Sequence, residues 1–426
     1  LSATPLPPRW ETAAPFAVFL VALAAALAMA LLRPPDPAEI LSPLNDSADY
    51  DHLARSLMEG HFSAPTGEPT AFRPPLYPLF LAQVYGLAGV SNFKAVAIAQ
   101  AFLAAAHALL LWTVAQRAGL GSLAALLAGL AAGLHPAFVF QVPQVLGEVL
   151  HRAWQAVAVF ALLEALRRRR WRVHVAAGVA FGIAVLSKPT LIASAPFVAL
   201  WLLWGLRRGG AKWREALLAA ALFAGCAGGT TMLWTVRNYL VSGAFIPVST
   251  NFPVTFAQGV TRHSWHAARR SAPGDLMPAP DDYLRLTQLR AYRGIAEERA
   301  VGAQWKARAE AHIAAHPGWF ARLTVRKALQ FWSPFVRNSP AVRAVAFAAM
   351  APVLIGGWWF VAMALRRRDG RLVFALLCLA VALPAMLPHA LSQPDVRYRL
   401  SLAEPLWIVM AAGTAEALWR RWRRRE

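Results

Sequence analysis

Residues 146–208 read LGEVLHRAWQAVAVFALLEALRRRRWRVHVAAGVAFGIAVLSKPTLIASAPFVALWLLWGLRR. Three apolar runs are separated by five arginines around Trp171, by Lys188-Pro189 and, at the end, by Arg207-Arg208. A helix needs about 20 apolar residues to cross a hydrocarbon core of roughly 30 Å. The run 146–166 has that length, and it ends at charges, so it reads as a membrane span rather than a core helix. The two shorter runs, 173–187 and 190–206, meet at Lys188-Pro189, which predicts a tight hairpin with Lys188 at its rim.

The same pattern extends in both directions. Of 426 residues, 58% are hydrophobic and only 15% charged, with 17 Trp and a mean hydropathy of +0.42. Most of the chain therefore sits in lipid. Further spans are expected near 13–32, 94–116, 120–142, 215–236, 341–365, 372–390 and 401–418, which makes roughly ten crossings of an all-α polytopic membrane protein. The run 13–32 is too long for a signal-peptide core and reads as an uncleaved first span.

The formal charge of +21 does not point to nucleic acid, because the arginines cluster at the ends of apolar runs and no aromatic-basic recognition motif accompanies them. Arg167–Arg170 with Arg172, Arg207-Arg208 with Lys212 and Arg214, Arg366–Arg368 with Arg371, and Arg420–Arg425 interrupted only by Trp422 are topological signals. The positive-inside rule makes all four blocks cytoplasmic, with both termini inside. Counting 76–91 as a span would put every later block outside, so this short apolar stretch is expected to be re-entrant or interfacial.

Three segments follow from this topology. Residues 1–236 form an N-terminal transmembrane module with an outward loop at 33–75, 237–340 form an outward loop with amphipathic helical pattern over 282–332, and 341–426 carry the C-terminal spans. Long connections tend to carry function. No cytosolic loop is large enough for a nucleotide-binding domain, and no GxGxxG or P-loop is present. Cys226 and Cys378 fall inside spans and offer no disulfide framework.

Within the loop 33–75, residues 45–62 read NDSADYDHLARSLMEGHF, with helical pattern from about 47 to 60. Asp46 and Tyr50 are four apart, above an apolar stripe of Leu53 and Leu57. Asp46 also suits a helix N-cap, and its type and position alone favour that reading. Asp49-Tyr50-Asp51 matches the short Asp-x-Asp metal pattern, but residues two apart on a helix point to nearly opposite sides. In PTAFRPPLYPLF, Arg73 precedes two prolines that stiffen the turn at headgroup level, either as an anion ligand or as a snorkelling side chain. Glu148 stands at the outer end of a span, where an intramembrane carboxylate is a functional-site candidate. Arg237 and Arg397, the latter in Arg397-Tyr398-Arg399, lie on the outer side as Arg73 does. Three such arginines against the topological bias point to an anionic partner. The histidines have no metal-ligand spacing, and neither HExxH nor paired CxxC appears.

In order along the chain, D-x-x-x-Y-x-x-L-A (Asp46–Ala54), F-R-P-P-L-Y-P (Phe72–Pro78), Glu148, L-S-K-P-T (Leu186–Thr190), R-N-Y-x-x-x-G (Arg237–Gly243) and R-Y-R-L (Arg397–Leu400) resemble glycosyltransferase family 39 proteins of the GT-C superfamily. That family includes protein O-mannosyltransferases and aminoarabinose lipid A transferases. The resemblance implies a GT-C fold with outward-facing juxtamembrane helices, and a polyprenyl-phosphate sugar as donor. It implies Asp46 as catalytic acid residue with Tyr50 nearby, Arg73 as donor-phosphate ligand and Glu148 as a second acidic position; Arg237 and Arg397 are expected to support Arg73, and Tyr50, Glu148, Lys188 and Tyr398 to position sugar or acceptor. The expected reaction is inverting transfer to a hydroxyl of a lipid, glycan or protein acceptor, at the periplasmic or external face of the inner or plasma membrane. Phe72 replaces a metal-binding Glu of the lipid A branch, so no metal ligand is carried over and divalent-metal dependence stays open. Ser401 replaces a common proline. The rival class is a lipid-linked-sugar flippase or transporter, which should show internal repeats and bury its polar residues near the midplane.

Overall fold

The computed structural model describes residues 9–426 apart from 43, 337 and 338; residues 1–8 of the N-terminal module and 337–338 of the long loop fall outside it. Among the described residues the secondary structure is helical, with two isolated β-bridges. Helix α1 (Arg9–Leu32) is followed by the short α2 (Asp46–Met58) and α3 (Leu76–Ala88). A bundle follows, of α4 (Phe93–Arg117), α5 (Ser122–Leu134), α6 (Glu148–Arg168), α7 (Trp171–Ser187), α8 (Ala195–Arg208) and α9 (Trp213–Ser242). The long loop carries α10 (Ile295–Ala315) and α11 (Pro317–Phe331), and the chain finishes with α12 (Pro340–Arg367), α13 (Arg371–Leu391), α14 (Val396–Leu402) and α15 (Glu404–Arg423).

Among the described residues, eight helices are long and apolar enough to cross a membrane. The other two expected spans, α7 and α15, form where the sequence places them, but α7 has only 17 residues and α15 carries Glu404 and Glu416. Both are shielded by protein. Along α15, Leu406–Met410 are buried against α12, so little of its first half meets lipid. Helix α7 is clamped to α9 through Gly178 and Gly182, a small-xxx-small pair that lets two backbones approach. A Cβ on Gly178 would stand 2.4 Å from the Phe223 carbonyl oxygen, and one on Gly182 would stand 2.8 Å from that of Ala227.

The bundle has two chemically distinct ends. At one, Glu164 joins Arg117 and Arg168, Glu416 accepts from the Gly121 amide (2.9 Å) and Arg420 (2.8 Å), and Arg208 donates to the Arg368 carbonyl (2.9 Å). This end gathers all four arginine blocks. At the other, the loop 33–75 and the long loop are stitched together by the buried Glu298. Its carboxylate accepts from Thr250 Oγ1 (2.6 Å), the Ala71 amide (3.3 Å) and Thr70 Oγ1. Burial outweighs these bonds and raises its pKa. A second, smaller apolar core of Val254, Tyr283, Trp305, Trp319 and Leu323 supports the long loop.

Helix α3 is 13 residues long and is not a span; Tyr77, Leu81 and Tyr85 bury one face against protein. The turn after α9 explains the glycine of R-N-Y-x-x-x-G: Gly243 takes φ 66°, a left-handed C-cap, and donates to the Tyr239 carbonyl.

Candidate active site

The helix α2 begins one residue earlier than its sequence pattern suggests, and Asp46 is not its cap. Asn45 takes that role, its side-chain oxygen accepting from the Ser47 amide at 3.1 Å. Asp46 is thereby released for ion pairing. Its Oδ1 accepts from Arg73 Nη2 (2.8 Å) and its Oδ2 from Arg397 Nη2 (3.1 Å). One turn on, Asp49 Oδ2 accepts from Arg73 Nε (2.9 Å), Arg73 Nη2 (2.7 Å) and the Leu289 amide (2.9 Å). Arg73 also donates to the Thr287 carbonyl at 3.0 Å, so the double-proline turn and the long loop together fix its guanidinium.

Burial raises both carboxyl pKa values, but the balance differs. At Asp46, Arg73 and Arg397 outweigh burial and hold the group down at about 2. At Asp49 burial wins over Arg73 and the Leu289 amide, leaving it above the ordinary range. Asp51 faces away, accepting from Tyr85 Oη (2.8 Å), Ser91 Oγ (2.7 Å) and Arg55 Nε (3.0 Å). Asp49 and Asp51 therefore share no site, as helical geometry requires.

Glu148 is the first residue of α6, where a carboxylate also suits the helix dipole. Lys188, at the α7–α8 turn, brings Nζ to 3.7 Å from Glu148 and donates to Ser401 Oγ at 2.7 Å. Ser401 thus gives Lys188 an acceptor. Burial lowers the Lys188 pKa to about 8 despite the opposing pull of Glu148. Lys188 Nζ also lies 4.8 Å from the Tyr398 ring centroid, and Tyr398 stacks on His389 at 4.0 Å. Tyr50 packs edge-on to Tyr77, with the Arg73 guanidinium 5.8 Å from its ring centroid.

Asp46, Tyr50, Arg73, Glu148, Lys188, Arg397 and Tyr398 all line one cavity of about 1720 Å³ at the end opposite the arginine blocks. Arg237 does not. Its Nη1 donates to the Thr70 carbonyl (2.6 Å) and its Nη2 to the Phe62 carbonyl (2.7 Å), between the rings of Phe62 and Trp234. Two carbonyls hold its guanidinium against the 62–70 turn, away from the side chains that line the cavity. Asp49, which orients Arg73, carries no sequence signal beyond the false Asp-x-Asp match. Arg152, buried in α6 against Gln141 and the Phe138 ring, carries none.

The acidic oxygens near the cavity suit guanidinium better than a metal. Both Asp46 oxygens and Asp49 Oδ2 are engaged by arginine, and among the described residues no three His, Cys, Asp or Glu side chains converge. A cation placed between Asp46 and Asp49 would meet the Arg73 charge. The residues present do not fit a bound metal.

Residues 72–234 match the dolichyl-phosphate-mannose-protein mannosyltransferase family, a stretch that includes Arg73, Glu148 and Lys188 but neither Asp46 nor Arg397. No curated protein matches the chain. Among solved structures it is similar to the oligosaccharyltransferase AglB of Archaeoglobus fulgidus in complex with an inhibitory peptide and a dolichol-phosphate: 14% identity, TM-score 0.59, covering 97% of this chain and 51% of that one. The same enzyme tethered with an acceptor peptide gives 14% and 0.59, over 97% and 50%. ArnT from Cupriavidus metallidurans bound to undecaprenyl phosphate aligns at 15% identity and TM-score 0.39, over 95% and 77%. The chain spans about half the length of the oligosaccharyltransferase. Its helical fold is thus similar to that of the archaeal oligosaccharyltransferase, and residues 72–234 are similar to the protein mannosyltransferase family.

Proposed function

We propose that this protein is an inverting glycosyltransferase that moves a sugar from a polyprenyl-phosphate donor to an acceptor hydroxyl at the membrane face opposite its arginine blocks. By the positive-inside rule that face is periplasmic or external. The observation that carries the reading is the convergence of Arg73 and Arg397, from opposite ends of the chain, on one carboxylate in the cavity wall.

In the proposed step the acceptor oxygen bonds to the anomeric carbon as the bond from that carbon to the phosphate oxygen breaks. The electron pair leaves with the phosphate, and the hydroxyl proton goes to Asp46. A lipid phosphate has a second pKa of about 6, so it departs without a proton and needs only positive charge around it. Among the described residues, Nη1 of Arg73 and of Arg397 donates to no protein acceptor, which leaves each guanidinium a free edge for phosphate oxygens. A phosphate drawing on both guanidiniums weakens their hold on Asp46 and restores its basicity, so the base becomes effective once donor is present. Glu148, Lys188, Tyr50 and Tyr398 form the wall against which sugar and acceptor are positioned.

The test is transfer by the purified protein from a panel of radiolabelled polyprenyl-phosphate sugars, with product traced to lipid, glycan or protein. Asp46→Asn should fold and bind donor but lose transfer. An Asn variant as active as the wild type would remove Asp46 from the chemistry.

A further inference from the structure

At the end of the bundle away from the cavity, a separate notch of about 360 Å³ opens between α12 and α15. Arg367 from the end of α12, Arg371 from the start of α13, and Arg420, Arg421 and Arg424 from the end of α15 line it, and no carboxylate does. We propose that this notch binds the head group of an anionic phospholipid, whose acyl chain lies along the Trp359 and Leu418 wall. The inference is independent of the glycosyltransferase reading.

Topology alone accounts for arginines at these helix ends, but not for their convergence. A positive-inside signal works with each cation snorkelling into its own water. Here five cations from three helices are gathered into one concavity, where like charges repel unless an anion lies between them. The protein supplies little compensation. Glu416 pairs with Arg420 at 2.8 Å, while its other oxygen is taken by the Gly121 amide. Asp369 Oδ1 accepts from the backbone amide of Arg371 at 3.0 Å. Arg367, Arg421 and Arg424 have no carboxylate partner among the described residues.

The apolar side of the notch points to a lipid rather than a free anion. Trp359 is 55% exposed and Leu418 54% exposed on the outer surface of the helices, directly beside the cations, with Phe360 and Met363 continuing the wall. Arginines at the membrane surface next to a lipid-facing apolar wall match a phosphate with acyl chains attached. Phosphatidylglycerol carries that phosphate without a balancing amine, whereas phosphatidylcholine neutralises it.

The experiment uses the full chain purified in mild detergent, with retained lipid counted by native mass spectrometry. Phosphatidylglycerol should be retained and phosphatidylcholine released. Arg371→Gln with Arg421→Gln should weaken retention by about fivefold for each arginine removed. Arg167→Gln with Arg170→Gln takes the same charge from another block and should leave retention unchanged. A photoactivatable phosphatidylglycerol added to the wild type should label Met363 or Leu418, a readout that needs no variant to insert correctly. The proposal is overturned if the Arg371/Arg421 variant retains lipid like the wild type, or if the control pair loses it equally. Labelling elsewhere, or displacement by millimolar inorganic phosphate, which would make this a free-anion site, overturns it as well.

Discussion

Arg397 Nη2 lies 3.1 Å from Asp46 Oδ2, although 351 residues separate the two in the chain. The C-terminal helices thus complete a candidate site begun in the first loop. Burial alone would raise the Asp46 carboxyl, and Arg73 and Arg397 bring it to about 2. In Arg397→Gln one of these pulls is gone, so the acid limb of the transfer rate should move to higher pH. The rate itself should fall about 10²–10³-fold, the usual loss when one charge-stabilising group is removed. The same depressed pKa contributes stability that is complete above the unfolded value near 3.9 and is lost as pH falls toward 2. Asp46→Asn should therefore flatten acid unfolding in that window, as read by tryptophan fluorescence.

Lys188 makes a prediction in the opposite pH range. With its pKa held down at about 8, its ammonium is present beside Glu148 and Ser401 only below that pH. Transfer should decline above pH 8. Lys188→Arg should keep its charge and lose the limb, while Lys188→Met should be slow at every pH. Stability should move the other way: the unfolded chain holds this proton up to about 10.5, so it binds more protons between pH 8 and 10.5 and the folded state gains as pH rises. Rates and melting temperatures from one sample would show whether activity falls while the fold strengthens. A rate flat from pH 7 to 10 would remove Lys188 from the reaction.

Asp49 holds Arg73 through two of its nitrogens but makes no contact in the proposed chemistry. It is a positioning residue. Asp49→Ala leaves a guanidinium, 7% exposed, with Asp46 as its one remaining carboxylate. Breaking a buried pair costs about 3–5 kcal/mol, and the surviving Asp46 contact should keep the loss toward the low end. A drop in donor affinity should accompany the lower melting temperature, and Asp49→Glu should restore part of both. Unchanged donor affinity in a destabilised Asp49→Ala protein would mean that Arg73 is oriented by the Thr287 carbonyl and Asp46 alone.

Much of this site was legible because its chemistry runs against its surroundings. Arg73 and Arg397 stand out as cations on the side that topology disfavours, and Glu148 as an acid at a span end. Arg237 met the same criterion yet serves the 62–70 turn, because sequence registers that an arginine needs acceptors but not whether a phosphate or a backbone carbonyl supplies them. Asp49 was hidden for a related reason: on the helix it looked like half of a false Asp-x-Asp pair, and its partner lies 24 residues away. Asn45 and Asp46 are both good N-caps by type, and only the ion pairs of Asp46 decide between them. Helix α7 is short and α15 weakly apolar, yet both are expected from the sequence, since arginine parity requires a crossing at each.

The α7–α9 contact is the part of the fold that sequence periodicity conveyed least, and it gives the last prediction. Gly178 faces the Phe223 carbonyl and Cys226, while Gly229 on α9 has open space where a Cβ would stand. Both are helical, so alanine gains similar intrinsic propensity at each, about 1 kcal/mol. The two substitutions nevertheless should diverge. Gly229→Ala should be neutral or slightly stabilising. Gly178→Ala must push α9 away from a 17-residue helix that depends on its neighbours for cover, with an overpacking cost of about 1–3 kcal/mol at that contact and more for Gly178→Val. Detergent melting curves of the three variants beside the wild type measure this. Equal melting temperatures for Gly178→Val and Gly229→Ala would mean that the two helices are not in backbone contact, and α7 would then need another explanation for its place inside the bundle.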